Sequence, residues 1–129
     1  MKITTFNPEI ISNNAEPIVK LFEELGFERR HTKTDVDERD ITMIRMKDPN
    51  GFHVDVVNDP SAERDTTIIR MNVDNFGEAY EILEDYDFRN AKYNENAVFT
   101  ENAKQAKLTS PTGFTIDLCY HIKGIFYNF

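Results

Sequence analysis

A chain of 129 residues and 15.0 kDa can form one domain, or two very small modules that share a core. Its hydrophobic fraction of 40% suffices for a globular fold, and its 29% of charged residues argues for a soluble one. The net charge of −8 repels polyanions, which disfavours nucleic acid and anionic membrane surfaces as partners, though not a small anion held by a local Arg.

The elements follow in chain order. Residues Ile3 to Ser12 read as a strand interrupted by Pro8, which cannot donate to a ladder and so predicts an edge or a bulge. In "NNAEPIVKLFEELGF", Asn13 or Asn14 can cap a helix, and Pro17 is tolerated in its first turn. Ile18, Leu21, Phe22 and Leu25 fall at i, i+3, i+4 and i+7, one apolar stripe, and Gly26 supplies the left-handed residue that ends helices. Strand character continues to Lys33, and "TDVDERD" reads as a loop. "ITMIRMK" and "FHVDVV" then flank Asp48-Pro49-Asn50-Gly51, and Asn-Gly between two strand-like runs signals a hairpin.

The second half repeats this order. "TTIIRMNV" is a strand, Asn75 caps "FGEAYEILEDY" with Glu78 completing a capping box, and Phe76, Ala79, Leu83 and Tyr86 form the stripe. A strand-like piece near Phe88 to Tyr93, an Asn-rich loop, "KQAKLT", the turn Ser110-Pro111-Thr112-Gly113 and "FTIDLCYHI" follow. "DPNGFHVDVV" recurs as "SPTGFTIDLC" 62 residues later, and "KLFEELGF" recurs as "EILEDYDF" at an offset of 61. Each half therefore reads β-α-β-β-β, over about 60 residues, within the range of structural repeats. The modules run over about 1–60 and 65–122, and 123–129 form an aromatic tail for which three readings stay open: it caps the fold, packs against a partner subunit, or is frayed.

Strand alternation sorts the side chains of both hairpins. Val54 and Val56 point toward the helices together with Phe52, and His53, Asp55 and Val57 point the other way. By the same count Phe114, Ile116, Leu118 and Tyr120 back onto helices, opposite Thr115, Asp117, Cys119 and His121. Asn7, Glu9 and Ile11 share one face, and so do Ile68, Arg70 and Asn72.

The duplicated order, the helix "IVKLFEELGF" and the hairpin "DPNGFHVDVV" together resemble the vicinal oxygen chelate superfamily, the glyoxalase, bleomycin-resistance and dioxygenase group. The resemblance runs from about Ile3 to His121. It implies an α+β fold in which two βαβββ modules form one cup-shaped, incompletely closed eight-stranded mixed sheet with the helices outside. It also implies four inward ligand positions, which fall on Asn7, Asp55, Ile68 and Asp117. Ile68 has no donor atom, Asn7 is a weak ligand, and each Asp is one methylene shorter than the family's usual Glu. The expected site is therefore a pocket without metal or other cofactor, lined by Asn7, Glu9, His53, Asp55, Arg70, Asn72 and Asp117. Arg70 either grips an anionic ligand or neutralises Asp55, Asp117 or Glu9.

Three functional readings stay open at this level. The leading one is a glyoxalase/bleomycin-resistance-like protein that binds a small organic molecule in the cup. The second is a metal-dependent lyase, isomerase or dioxygenase using Zn, Ni, Mn or Fe on Asp55 and Asp117, with His53 or His121 as a third ligand. The third is a structural or regulatory dimer with a filled cup. A homodimer is expected from the resemblance and from open sheet edges. Cys119 and His121 share a strand face, where a Cys–His nucleophile is conceivable but a buried thiol packing as an apolar residue is the simpler account. A single cysteine precludes an internal disulfide, and no apolar run nears the roughly 20 residues of a membrane-spanning helix, so a cytoplasmic protein is expected.

Overall fold

The computed structural model describes residues 1–34, 40–90, 98–99 and 103–121, with 98, 99, 103 and 121 as backbone only. The expected loop falls largely outside these residues, as do the end of the strand near Tyr93, the Asn-rich segment and the aromatic tail.

The chain is α+β and runs twice through the same order. The first pass is β1 (Ile3–Ser12), α1 (Glu16–Glu24), β2 (Glu28–Lys33), β3 (Thr42–Lys47) and β4 (His53–Asn58). The second is β5 (Thr66–Val73), α2 (Phe76–Asp85), β6 (Arg89–Asn90), a two-residue β7 (Val98–Phe99), β8 (Ala103–Thr109) and β9 (Thr115–His121). The expected βαβββ duplication is thus observed, with the short β7 added. Contacts divide the described residues into two units, 7–68 and 1–6 with 69 onward.

In residues 7–68 the strand order is β2-β3-β4-β1. The hairpin β3/β4 is antiparallel, whereas β1 runs parallel to β4 from Glu9 to Ser12, so the sheet is mixed. Pro8 stands one residue before that register begins, which spares the ladder its missing N–H, and β1 is the end strand of this unit's order. The turn closes on Asp48, whose Oδ1 accepts from the N–H groups of Asn50 and Phe52, and Gly51 takes φ +90°, a conformation only glycine adopts cheaply. One face of this sheet packs Ile44, Met46, Val54 and Val56 against Ala15 and Val19.

The helix α1 starts differently from the sequence expectation. Its N-cap is Ala15, not Asn13 or Asn14, and no side chain of that residue caps it. The Ala15 N–H instead donates to Asn58 Oδ1 at 2.9 Å, from the end of β4. The stripe is also displaced: Val19 is buried and Ile18 and Phe22 pack beside it, while Leu21 and Leu25 are exposed. Gly26, at φ +105°, follows the helix as expected.

In the other unit the order is β5-β9-β8-β6, with β7 on β8 and the first residues of β1 beside β5. Here β5 and β9 are parallel and β8 and β9 antiparallel. The N-cap Asn75 behaves as predicted, its Oδ1 accepting from Glu78 N at 3.1 Å. Phe76, Ala79 and Leu83 bury against Ala106, Leu108, Ile116 and Leu118. Tyr86 does not join them; it is exposed, and Tyr80 and Phe88 pack there instead.

Phe52 and Phe114 are exposed rather than turned onto helices. Both stand just before their strands, which begin at His53 and Thr115, so the alternation rule does not reach them. Phe114 does make an edge contact with Phe88, at 5.8 Å between centroids.

Candidate functional site

The sheet face away from α1 carries a group of buried polar side chains. Asn7 and Glu9 on β1, Arg45 on β3 and Asp55 on β4 are all shielded from solvent. The register explains their grouping: Asp55 lies between Glu9 on one neighbouring strand and Arg45 on the other, and His31 of β2 sits beyond Arg45. Directly opposed residues share a face, so one row of charge crosses the sheet.

The central pair is tightly tied. Arg45 Nη1 donates to both oxygens of Asp55, at 3.3 and 3.2 Å, and Asn7 Nδ2 donates to Asp55 Oδ2 at 2.9 Å. Arg45 Nη2 also reaches Asn7 Oδ1 at 3.4 Å, which closes a triangle of three side chains. Asp55 is 0% exposed and Arg45 2%, so each charge needs the other. Arg45 is the residue that sequence reading missed; Arg70 was one expected partner for Asp55, Asp117 or Glu9, and Asp55 takes its guanidinium from its own hairpin.

The second module places its own row. Asp117 on β9 lies between Arg70 on β5 and Lys107 on β8, and Asn72 lies beside Cys119. Arg70, Asn72, Asp117 and Cys119 are buried. Arg70 Nε donates to Asn72 Oδ1 at 3.4 Å. Both oxygens of Asp117 accept from Gln105 Nε2, at 2.9 and 3.1 Å, and the Cys119 thiol approaches Asp117 Oδ1 at 3.5 Å. Cys119 therefore donates weakly to a carboxylate, as a buried thiol does; the side chain of His121 lies outside the described residues.

Asn7, Glu9, Asp55, Arg70, Asn72 and Asp117 are all buried. His53 shares the Asp55 face and is half-buried.

No family model matches the chain, and no curated protein matches it by sequence. Solved structures do. Methylmalonyl-CoA epimerase from Mycobacterium tuberculosis matches with a TM-score of 0.68 at 14% identity, over 93% of this chain and 89% of that one. A glyoxalase/bleomycin resistance protein/dioxygenase superfamily member from Vibrio splendidus 12B01 gives 0.57 at 15%, over 94% and 100%. A glyoxalase I variant from Zea mays gives 0.63 at 13%, with this chain spanning 45% of its length. The fold is similar to that of these glyoxalase-, epimerase- and dioxygenase-related structures. At such identities the likeness is one of architecture and carries no activity with it.

The superfamily's four ligand positions do not suit a divalent cation in this chain. Ile68 offers no donor. The Asp55 oxygens accept from Arg45 and Asn7, and those of Asp117 from Gln105. Among the described residues no three His, Cys, Asp or Glu side chains converge as a metal would require.

His53 is a titratable group perturbed by its surroundings. Burial holds its pKa below the ordinary 6.5, and the cations Arg45, Lys47 and Arg30 push the same way, with Asp55 opposing. Its Nε2 is shielded from solvent and has no hydrogen-bond partner among the described residues. A histidine held neutral by the fold takes up a proton more readily once unfolded, so the unfolded chain binds more protons below pH 6.5. The stabilising contribution is complete above about pH 6.5 and is lost as pH falls toward the lower folded-state value. Urea midpoints measured from pH 7.5 to pH 5 should therefore fall less steeply in His53→Gln than in the parent chain. Parallel curves for the two would show that His53 is not protonation-linked to folding.

Proposed function

We propose that the protein binds a small organic molecule, without a metal, through the buried polar side chains on the helix-remote strand faces. The observation that carries this reading is the Asn7–Arg45–Asp55 triangle. Two of its members, Asn7 and Asp55, stand at strand positions where the resemblance places ligands, and the Asp55 carboxylate there meets Arg45 and Asn7 in place of a metal. A pinned guanidinium is a preorganised donor for a planar polar group, because its rotamer is fixed before any ligand arrives. The epimerase and glyoxalase named among the similar structures make small organic molecules a natural class to test.

The test is a thermal-shift screen of chelator-treated protein against a 2-oxoacid, a glutathione adduct and a planar aromatic drug. A binder stabilises the native state by about 2.7 kcal/mol at a concentration 100 times its Kd, enough to read as a clear rise in Tm. The reading expects at least one saturable rise that survives the chelator. A rise that appears only on adding Zn²⁺, Ni²⁺, Mn²⁺ or Fe²⁺ would favour the metal-dependent enzyme. No rise with any compound or metal would favour a structural protein.

A further inference from the structure

The internal repeat makes Lys107 the counterpart of Arg45: each opposes the aspartate of its hairpin, Lys107 facing Asp117 as Arg45 faces Asp55. The two positions are used differently. In the first module the guanidinium is paired with its aspartate at 3.2 Å. In the second, both oxygens of Asp117 are held by Gln105, and Lys107 makes no ion pair among the described residues. Lys107 is half-buried on the face opposite Ala106 and Leu108, which pack under α2. The facing Asp117 carboxylate is held by Gln105 and forms no ion pair with Lys107, so an ammonium group kept from full hydration there gains from a further anion.

A second donor stands next to it. Thr109 and Thr115 share the Lys107 face, opposed across β8 and β9, with their hydroxyl oxygens 2.9 Å apart. One hydroxyl donates to the other, and the accepting hydroxyl keeps its own hydrogen. Both residues are half-buried, so this hydrogen is within reach of a ligand. Residues two apart on a strand stand roughly 7 Å from each other, a gap the four-carbon lysine stem spans.

We propose that the helix-remote face of β8 and β9 carries an anion subsite, in which Lys107 and the Thr109/Thr115 hydroxyl pair take the carboxylate or phosphate group of the ligand. The subsite rests on the reading that the protein binds a small organic molecule, and gives that molecule an acidic group.

The test follows backbone amide shifts while the protein is titrated with acetate, with inorganic phosphate and with neutral acetamide. Acetate or phosphate should shift the amides of Lys107, Thr109 and Thr115 saturably, and acetamide should not; whichever anion binds more tightly identifies the oxyanion preferred. Lys107→Met, which keeps the stem and so the packing, should weaken anion binding by about tenfold or more, as loss of a charge-assisted bond does. Lys107→Arg should retain it. Saturation unchanged in Lys107→Met would overturn the subsite. Organic compounds that bind while neither anion perturbs these amides would also overturn it, and would leave the wider reading standing. No binding by any compound, charged or neutral, would overturn both.

Discussion

Replacing Arg45 by methionine should lower stability by about 3–5 kcal/mol, read as a shift of the urea midpoint at unchanged slope. The guanidinium is buried and its partner Asp55 has no solvent to turn to. Removing the cation leaves an ionised carboxylate in the interior with the Asn7 amide bond at 2.9 Å but no opposite charge from Arg45. The size of the loss is a desolvation cost and not the worth of the pair, and a second variant separates the two. Arg45→Met combined with Asp55→Leu removes both charges and should recover most of the deficit, because a buried ion pair is often no better than apolar residues of similar volume. A single variant as stable as the parent would show that Asp55 is solvated or protonated in the native state. A double variant as damaged as the single one would locate the loss in packing rather than charge.

The second large effect lies in the other unit. Leu118 is 0% exposed and packs among Ala106, Leu108 and Ile116 under Phe76, Ala79 and Leu83. Leu118→Ala should cost about 2–5 kcal/mol through lost burial and the cavity left behind, since β9 is held by ladders to both β5 and β8 and cannot close in. Ile82→Ala on the exposed side of α2 is the contrast, expected to change stability by no more than about 0.5 kcal/mol. Similar losses from the two would contradict the described orientation of α2.

Much of this arrangement was legible in the chain, and the exceptions have physical reasons. Alternation placed Asp55 and Asp117 opposite the helix-facing Val54, Val56, Ile116 and Leu118 because a strand offers only two faces. Asn75 was found because its cap is local, a side chain meeting an N–H three residues on. The cap of α1 was missed because it is not local. Leu21, Leu25 and Tyr86 were assigned to cores on period alone, yet α1 spans only nine residues and buries a narrow stripe centred on Val19. Arg45 could have been found without coordinates. It and Asp55 lie equally far from Asn50, so a tight turn there must set them opposite each other. The same count from Thr112 pairs Lys107 with Asp117. What no count reveals is that Gln105, one diagonal away, holds Asp117 in the place that a cation holds in the first hairpin.

The unlike starts of the two helices bear on how the chain folds. The first turn of α2 is anchored by a residue three positions away, and that anchor can form as soon as the segment coils. The first turn of α1 is anchored across 43 residues by Asn58. That bond requires a long loop to close first, so the entropy of closure opposes the start of one helix and is absent from the start of the other. Two copies of one motif thus divide between a segment that can nucleate early and a segment that must wait for its sheet.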